Sequence, residues 1–375
     1  MSENNVMKDL YNKITSLKEE YVTYLLVGII FVIIIFCLCY YLMMRTYISR
    51  KCSTLDDMYS TINGKIASLN ASDPKCQHFL RDYYIKTSYN SCSIGTYKNS
   101  FVSICILKDL LKQGVRGLDF EIYSIDNEPV VATSTEDSYF IKETYNYVPF
   151  LDVMNTIVNY AFANSTSPNP RDPIILHLRI KSTNQNMYTN LASIFKEYDQ
   201  FFLGPDYSFE NGGKNVGEQP IMSLSGKIIL IVDRLNNAFM DNSYFYEYVN
   251  MTSNSIFMRG LRFYDVKNTP DIGELQEYNK KNMTIVIPDN GVEPDNPNPV
   301  ICQETGCQMT AIMYQKYDVN LQMDNSLFDK IGYAFVLKPE RLRYIPITID
   351  PPVSQDQSLT YQTRTVTSDY YSFNI

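Results

Sequence analysis

The sequence predicts an α/β fold on a parallel sheet, preceded by one transmembrane helix, and three observations carry this expectation. No charged residue occurs from Tyr21 to Met44, a run of about 36 Å as helix against a hydrocarbon core of about 30 Å. Beyond it, strand-length apolar runs alternate with segments of helical period, the pattern of a parallel sheet flanked by helices. At 375 residues and 45% hydrophobic content, the chain can bury one barrel-sized core of about 250 residues.

Residues 1–20 read as a polar head of mixed charge and 21–44 as the span. The segment after the span, Met43-Met-Arg-Thr-Tyr47, lacks the small-residue site of a cleaved signal peptide. Residues 45–77 are a polar, partly helical connector, and 78–350 the α/β body. Tyr83–Ile85 is a short strand; Val102–Lys112 has apolar residues at helical spacing and stops at Gly114. Val115–Tyr123 alternates as a strand, and Val130–Val131 marks another. Phe150–Phe162 is a helix with Leu151, Met154, Ile157, Val158 and Ala161 on one face. Ile174–Ile180 is continuously apolar, as in a strand buried on both faces. A helix over Met187–Tyr198, a glycine-rich loop from Gly204 to Gly217 and a strand over Lys227–Val232 follow. Asp233–Asn254 reads as a linker, Met283–Ile287 and Gly332–Leu337 as later strands, and 351–375 as an extended polar tail.

The net charge is −8. The head holds three lysines (Lys8, Lys13, Lys18) against four acids, so the acidity belongs to the body and excludes bulk electrostatic binding to nucleic acid. The span makes the membrane a partner. Arg45, Arg50 and Lys51 after the span, against Lys13 and Lys18 before it, lean by one charge towards a cytoplasmic body. Asn-x-Ser/Thr sequons at Asn70, Asn164, Asn250 and Asn282 leave the orientation open. Of eight cysteines, Cys37 and Cys39 lie in the span; the other six show no C-x-x-C spacing, which argues against zinc. Cys105 reads as core, and a Cys302–Cys307 link is open.

Two stretches carry a family resemblance. The first comprises Asp82–Ser91, Lys112–Tyr123 and Glu128–Thr135; the second Gly306–Ile312 and Gly332–Arg343. They resemble the X and Y catalytic halves of phosphoinositide-specific phospholipase C, over 78–235 and 250–345. The resemblance implies a (β/α)₈ TIM barrel of the phospholipase C-like phosphodiesterase type.

It also implies a site. The family uses two histidines and a calcium ion held by Asn and carboxylates: one histidine stabilises transition-state charge, the other is the general acid. The first histidine position is Tyr89, in Ser88–Ser91; tyrosine, with a pKa near 10, stays neutral at pH 7. The second is Thr133, after Glu128–Ala132. No catalytic residue is therefore assigned. Remnant metal ligands are Asn90 and the pair Asp119 and Glu121, on one strand face. A further glutamate of the family corresponds to Arg179, which would pair with both carboxylates and repel calcium. The degenerate pocket is thus Tyr89, Asn90, Asp119, Glu121, Thr133 and Arg179, with no cofactor and no metal expected. Arg234 reaches the inositol-contacting position only with a slip of register, and no Lys or Arg lies between Lys281 and Lys316. His78 reads as a surface residue and His177 as a packed core histidine.

The expected function is a membrane-anchored pseudoenzyme, a binding or scaffold barrel with a protein partner or a small ligand in its pocket. Two alternatives stand beside it: a phosphodiesterase with rearranged catalytic groups, and a structural membrane or virion component.

Overall fold

In a computed structural model the uncharged run and the residues after it form one unbroken helix, α1 (Glu19–Tyr59). The structure describes residues 7–9, 11–13, 19–208, 214–346, 352, 359 and 361–375. Most of the head, part of the glycine-rich loop and the start of the tail therefore lie outside the described residues. The apolar part of α1 is long and apolar enough to cross a membrane and buries nothing against the body. Its last turns differ: Leu55 and Tyr59 are buried in the main core, and the Tyr59 hydroxyl donates to the Tyr314 carbonyl at 2.8 Å. The connector is thus no separate segment at its start; the helix continues through it because its apolar residues find the barrel wall.

Eight parallel strands form the ring: β1 (Tyr83–Ser88), β2 (Gly117–Ile125), β5 (Ile174–Ile180), β6 (Ile228–Asp233), β7 (Met251–Ser253), β8 (Met258–Arg262), β9 (Met283–Ile287) and β10 (Met309–Ile312). They pair in the order β7-β6-β5-β2-β1-β10-β9-β8. The two end strands lie side by side without a ladder among the described residues, so the ring is nearly closed. Two other strands, β3 (Glu128–Ala132) and β4 (Val148–Pro149), form an antiparallel extension of β2. The β2–β3 turn has positive φ at Asp126 and Asn127 (52° and 68°), the conformation of a two-residue hairpin. The expected strand at Gly332–Leu337 shortens to β11 (Phe335–Leu337), antiparallel to β1.

Inside the ring, Ile175, Ile229, Ile231, Met283, Ile285 and Met309 fill one apolar core; outside it, Leu118, Phe120, Leu176, Leu178, Leu230 and Val232 meet the helices in another. Both faces of the sheet are covered, which is why its strands read as continuous apolar runs. The helices that cover it include α2 (Ile104–Lys112), α3 (Phe150–Ala161) and α4 (Gln185–Glu197). On α3 the buried face is Phe150, Val153, Met154, Ile157 and Ala161, whereas Leu151 is exposed: the stripe is rotated one residue from the expected one.

Two further expectations for the barrel change. The presumed linker carries the ring strand β7. Cys105 is not a core thiol but is disulfide-bonded to Cys52 of α1. Cys302 and Cys307 are both free. By itself, the C-terminal unit 344–375 contains an antiparallel hairpin, Thr365–Thr367 with Ser372–Asn374, rather than a wholly extended tail.

The course of α1 relates the apolar run to the barrel mouth. Tyr47 packs on Phe101 and shares a cavity with Gly95, Tyr97, Val292 and Gln315, which follow the C-terminal ends of β1, β9 and β10. Twelve residues on, Tyr59 and Thr61 accept hydrogen bonds from Gln113, just before β2 begins. The helix thus descends the barrel wall beside α2 from mouth to base, and its apolar segment projects beyond the mouth.

Candidate active site

The parallel register of β2 and β5 sets Asp119 beside His177 and Glu121 beside Arg179. Residues two apart share a strand face, so all four enter the barrel near its mouth, each at most 2% exposed. Arg179 is the hub. Its Nε and Nη2 donate to the two oxygens of Asp119 at 3.0 and 2.8 Å, its Nη1 to Glu121 Oε1 at 2.9 Å, and Nη2 also to Asn90 Oδ1 at 3.1 Å. The guanidinium lies 4.6 Å from the centroid of the Tyr89 ring, within cation–π range.

The turn after β1 places Asn90 at φ 44°, a left-handed conformation that asparagine tolerates. There its backbone N–H donates to Asp119 Oδ2 (3.2 Å) and its side-chain amide to Glu121 Oε1 (3.3 Å). Glu121 Oε2 accepts from the Tyr123 hydroxyl at 2.6 Å and from Ser134 N and Oγ at 2.9 and 3.1 Å. Beneath, His177 Nδ1–H donates to Asp119 Oδ1 at 2.7 Å, and its Nε2 faces Ser253 Oγ at 3.0 Å. The order Ser253–His177–Asp119 has the connectivity of a nucleophilic triad. Ser253 is, however, 1% exposed below the Arg179 layer, so no substrate atom reaches it, and His177 is a satisfied core histidine.

Sequence reasoning missed the upper tier. Asp137, in the loop between β3 and β4, pairs with Arg262 at the end of β8, and lies 3.6 Å from both Arg179 and Lys181. Arg262 Nη1 approaches the Tyr89 hydroxyl at 3.5 Å. These contacts join residues up to 173 positions apart, and no local motif announces them. Thr133 departs from the expected pocket: its hydroxyl donates to the Tyr97 carbonyl at 3.1 Å, while its neighbour Ser134 takes the contact with Glu121. Arg234 is exposed, so the slipped register that would bring it to the site does not occur. His78 is half-buried beside Arg343.

The electrostatics follow from burial and this pairing. Burial would raise the Asp119 carboxyl, but Arg179, with His177, holds it well below the usual carboxylate range. Burial opposes the charge on Arg179, yet Asp119, Tyr89 and Glu121 keep it firmly protonated. Burial pushes the Tyr89 hydroxyl up despite Arg179 and Arg262 nearby. Asp137 lies below its ordinary value because Arg179 and Arg262 outweigh its burial.

A calcium ion would need six to eight oxygens at 2.3–2.6 Å. The oxygens on offer, from Asn90, Asp119 and Glu121, already bond the Arg179 guanidinium, and Glu121 Oε2 is taken up by Tyr123 and Ser134. Among the described residues no group of three or more His, Cys, Asp or Glu side chains is arranged to hold a metal. The residues present do not fit the ion. Beside Arg179 the mouth keeps a cavity of about 370 Å³, bordered by Asp137, Phe140, Lys181, Asp233 and Leu235.

An eight-stranded parallel ring with charged side chains gathered at its C-terminal mouth defines a TIM-barrel protein. Family profiles for the phosphatidylinositol-specific phospholipase C X domain and Y domain match residues 76–233 and 246–341, which together make up more than half of the chain. The chain belongs to the phosphatidylinositol-specific phospholipase C family. The bovine and human 1-phosphatidylinositol 4,5-bisphosphate phosphodiesterases beta-4 are each 35% identical over 80 residues, 21% of this chain and only 8% and 7% of theirs. Crystal structures of PLC21 from L. pealei and S. officinalis superpose with TM-scores of 0.58 at 20% identity, covering 72% and 73% of this chain and 38% and 39% of theirs. At that identity they speak to the fold alone.

Proposed function

We propose that this chain is a membrane-anchored, phospholipase C-like barrel without phosphodiesterase activity, acting as a binding or scaffold module. The observation that carries this reading is the Arg179 guanidinium bonded to Asp119, Glu121 and Asn90. The cation these oxygens serve is internal, and a metal could take its place only by leaving the buried guanidinium without partners.

The remaining groups supply no acid–base chemistry. Hydrolysis at neutral pH needs a positioned group that exchanges protons near neutrality. Burial keeps the Tyr89 hydroxyl protonated at pH 7, the Thr133 hydroxyl is spent on a carbonyl, and His177 is enclosed. The cavity of about 370 Å³ beside Arg179 remains, lined in part by Phe140, Ile180 and Leu235, and leaves room for a small ligand. Anchoring is supported by the unbroken course of α1 from the apolar run into the core, which leaves no extended segment for a signal cleavage site.

The test is release of inositol phosphate from phosphatidylinositol and its 4,5-bisphosphate by the full chain in lipid vesicles, with calcium and with chelator. No release from protein that melts cooperatively is expected. Release that depends on Asp119 would overturn the reading and reinstate a hydrolase.

A further inference from the structure

Cys52 on α1 and Cys105 on the first turn of α2 are joined although 53 residues separate them. Both are partly exposed. The other four cysteines outside the span, Cys76, Cys92, Cys302 and Cys307, are free and at most 1% exposed. Every body cysteine that solvent reaches is therefore paired, and every unpaired one is walled off. Disulfides persist in oxidising compartments and are rare in the cytosol, where a solvent-reachable pair is kept reduced; buried thiols are inert in either setting.

The sequons divide in the same way. Asn70 and Asn164 stand exposed in turns, one before β1 and the other after α3, at the base of the barrel and away from the span. Asn250 is buried, its amide donating to the Tyr207 carbonyl (3.1 Å) and its oxygen accepting from Leu230 N (2.8 Å). Asn282 is half-buried, and Thr284 of its sequon is enclosed in β9, bonded to Asn279.

We propose that the barrel lies on the oxidising, non-cytosolic side of its membrane, mouth towards the bilayer, and that Asn70 and Asn164 carry N-linked glycans at the distal end. The charge lean towards a cytoplasmic barrel does not oppose this. With Lys8 included, three basic residues precede the span and three follow it closely, so charge does not choose a side. In forming the bond, the two thiols lose two protons and two electrons to the disulfide of a thiol–disulfide oxidoreductase, which becomes a dithiol. In glycan transfer, the Asn Nδ2 forms a bond to the anomeric carbon of a pyrophosphate-linked lipid oligosaccharide. The carbon–oxygen bond to pyrophosphate breaks, and the amide nitrogen gives up one proton.

The proposal rests on the anchor reading above, and one experiment separates the two. The full chain is translated into endoplasmic reticulum microsomes and followed by endoglycosidase shift, protease protection, carbonate extraction and thiol tagging after denaturation. Two glycans are expected, one lost in each of Asn70→Gln and Asn164→Gln, with the barrel protected from protease until detergent is added. Six of the eight cysteines should react before reduction and all eight after it. An unglycosylated barrel digested on intact microsomes overturns the proposal while leaving the anchor standing, provided the chain resists carbonate. A glycosylated, protected chain that carbonate releases supports the sidedness and overturns the anchor. Glycans that survive both substitutions overturn the acceptor assignment.

Discussion

Arg179 grips Asp119 with two parallel bonds, Nε to Oδ1 at 3.0 Å and Nη2 to Oδ2 at 2.8 Å, in a place where neither residue meets solvent. The pair joins β2 to β5 at the barrel mouth, and its consequences for stability are measurable.

Arg179→Met should cost about 3–5 kcal/mol at neutral pH, because it strands buried carboxylates. The sign of the pH dependence follows from Asp119. Its folded-state pKa is depressed in the native chain, so its contribution is present above the unfolded carboxylate value of about 4 and is lost only as pH falls further. Without Arg179, burial dominates and raises that pKa, so the folded variant takes up a proton more readily than the unfolded chain. The gap between variant and native protein should therefore narrow as pH falls from 7 towards 4. Denaturant titrations followed by far-ultraviolet circular dichroism at several pH values measure it; a constant gap would contradict the assignment.

Arg179→Glu should turn the cluster into a cation site, with a third carboxylate replacing the guanidinium beside Asn90. Millimolar calcium is expected to raise the melting temperature of this variant by several degrees over a chelator control and to leave the native chain unchanged. Equal melts for the variant with and without calcium would show that Arg179 does not occupy a metal seat.

Cys105→Ser should lower stability by about 4 kcal/mol, the chain-entropy value for a loop of this length. The double variant with Cys52→Ser should be no worse than the single one, since one bond is lost in either case. Unfolding midpoints under non-reducing conditions test both statements, and additive losses would argue against the pairing.

Gly117→Ala should cost about 1–3 kcal/mol through overpacking. A methyl group there would meet Thr87 Oγ1 and come within 2.8 Å of its Cγ2, where β1 and β2 pair. Thr87→Ala in the same chain should return part of the loss, as a thermal melt of the three variants would show.

The legible parts of this fold were those whose physics is local. Ile174–Ile180 and Ile228–Asp233 stand out because both their faces are covered, and the β2 carboxylates share a face through strand parity. Strand β8 was not legible: Met258–Arg262 buries only its first residue fully and carries two arginines. Strand β7 has three residues, too few for a period. Asp137 and Arg262 become neighbours only when a hairpin loop and a distant strand end meet over the mouth.

The sequence by itself determined a long apolar run, a parallel barrel of the phospholipase C type and an arginine on the strand face that neighbours two carboxylates, because composition, periodicity and motif are written along the chain. Tertiary structure alone decided that Arg179 satisfies Asp119, Glu121 and Asn90 together, that Thr133 turns away, and that α1 is fastened to the barrel wall through Cys52 and Cys105. Those outcomes depend on distances between residues far apart in sequence, which only closure of the ring brings within bonding range.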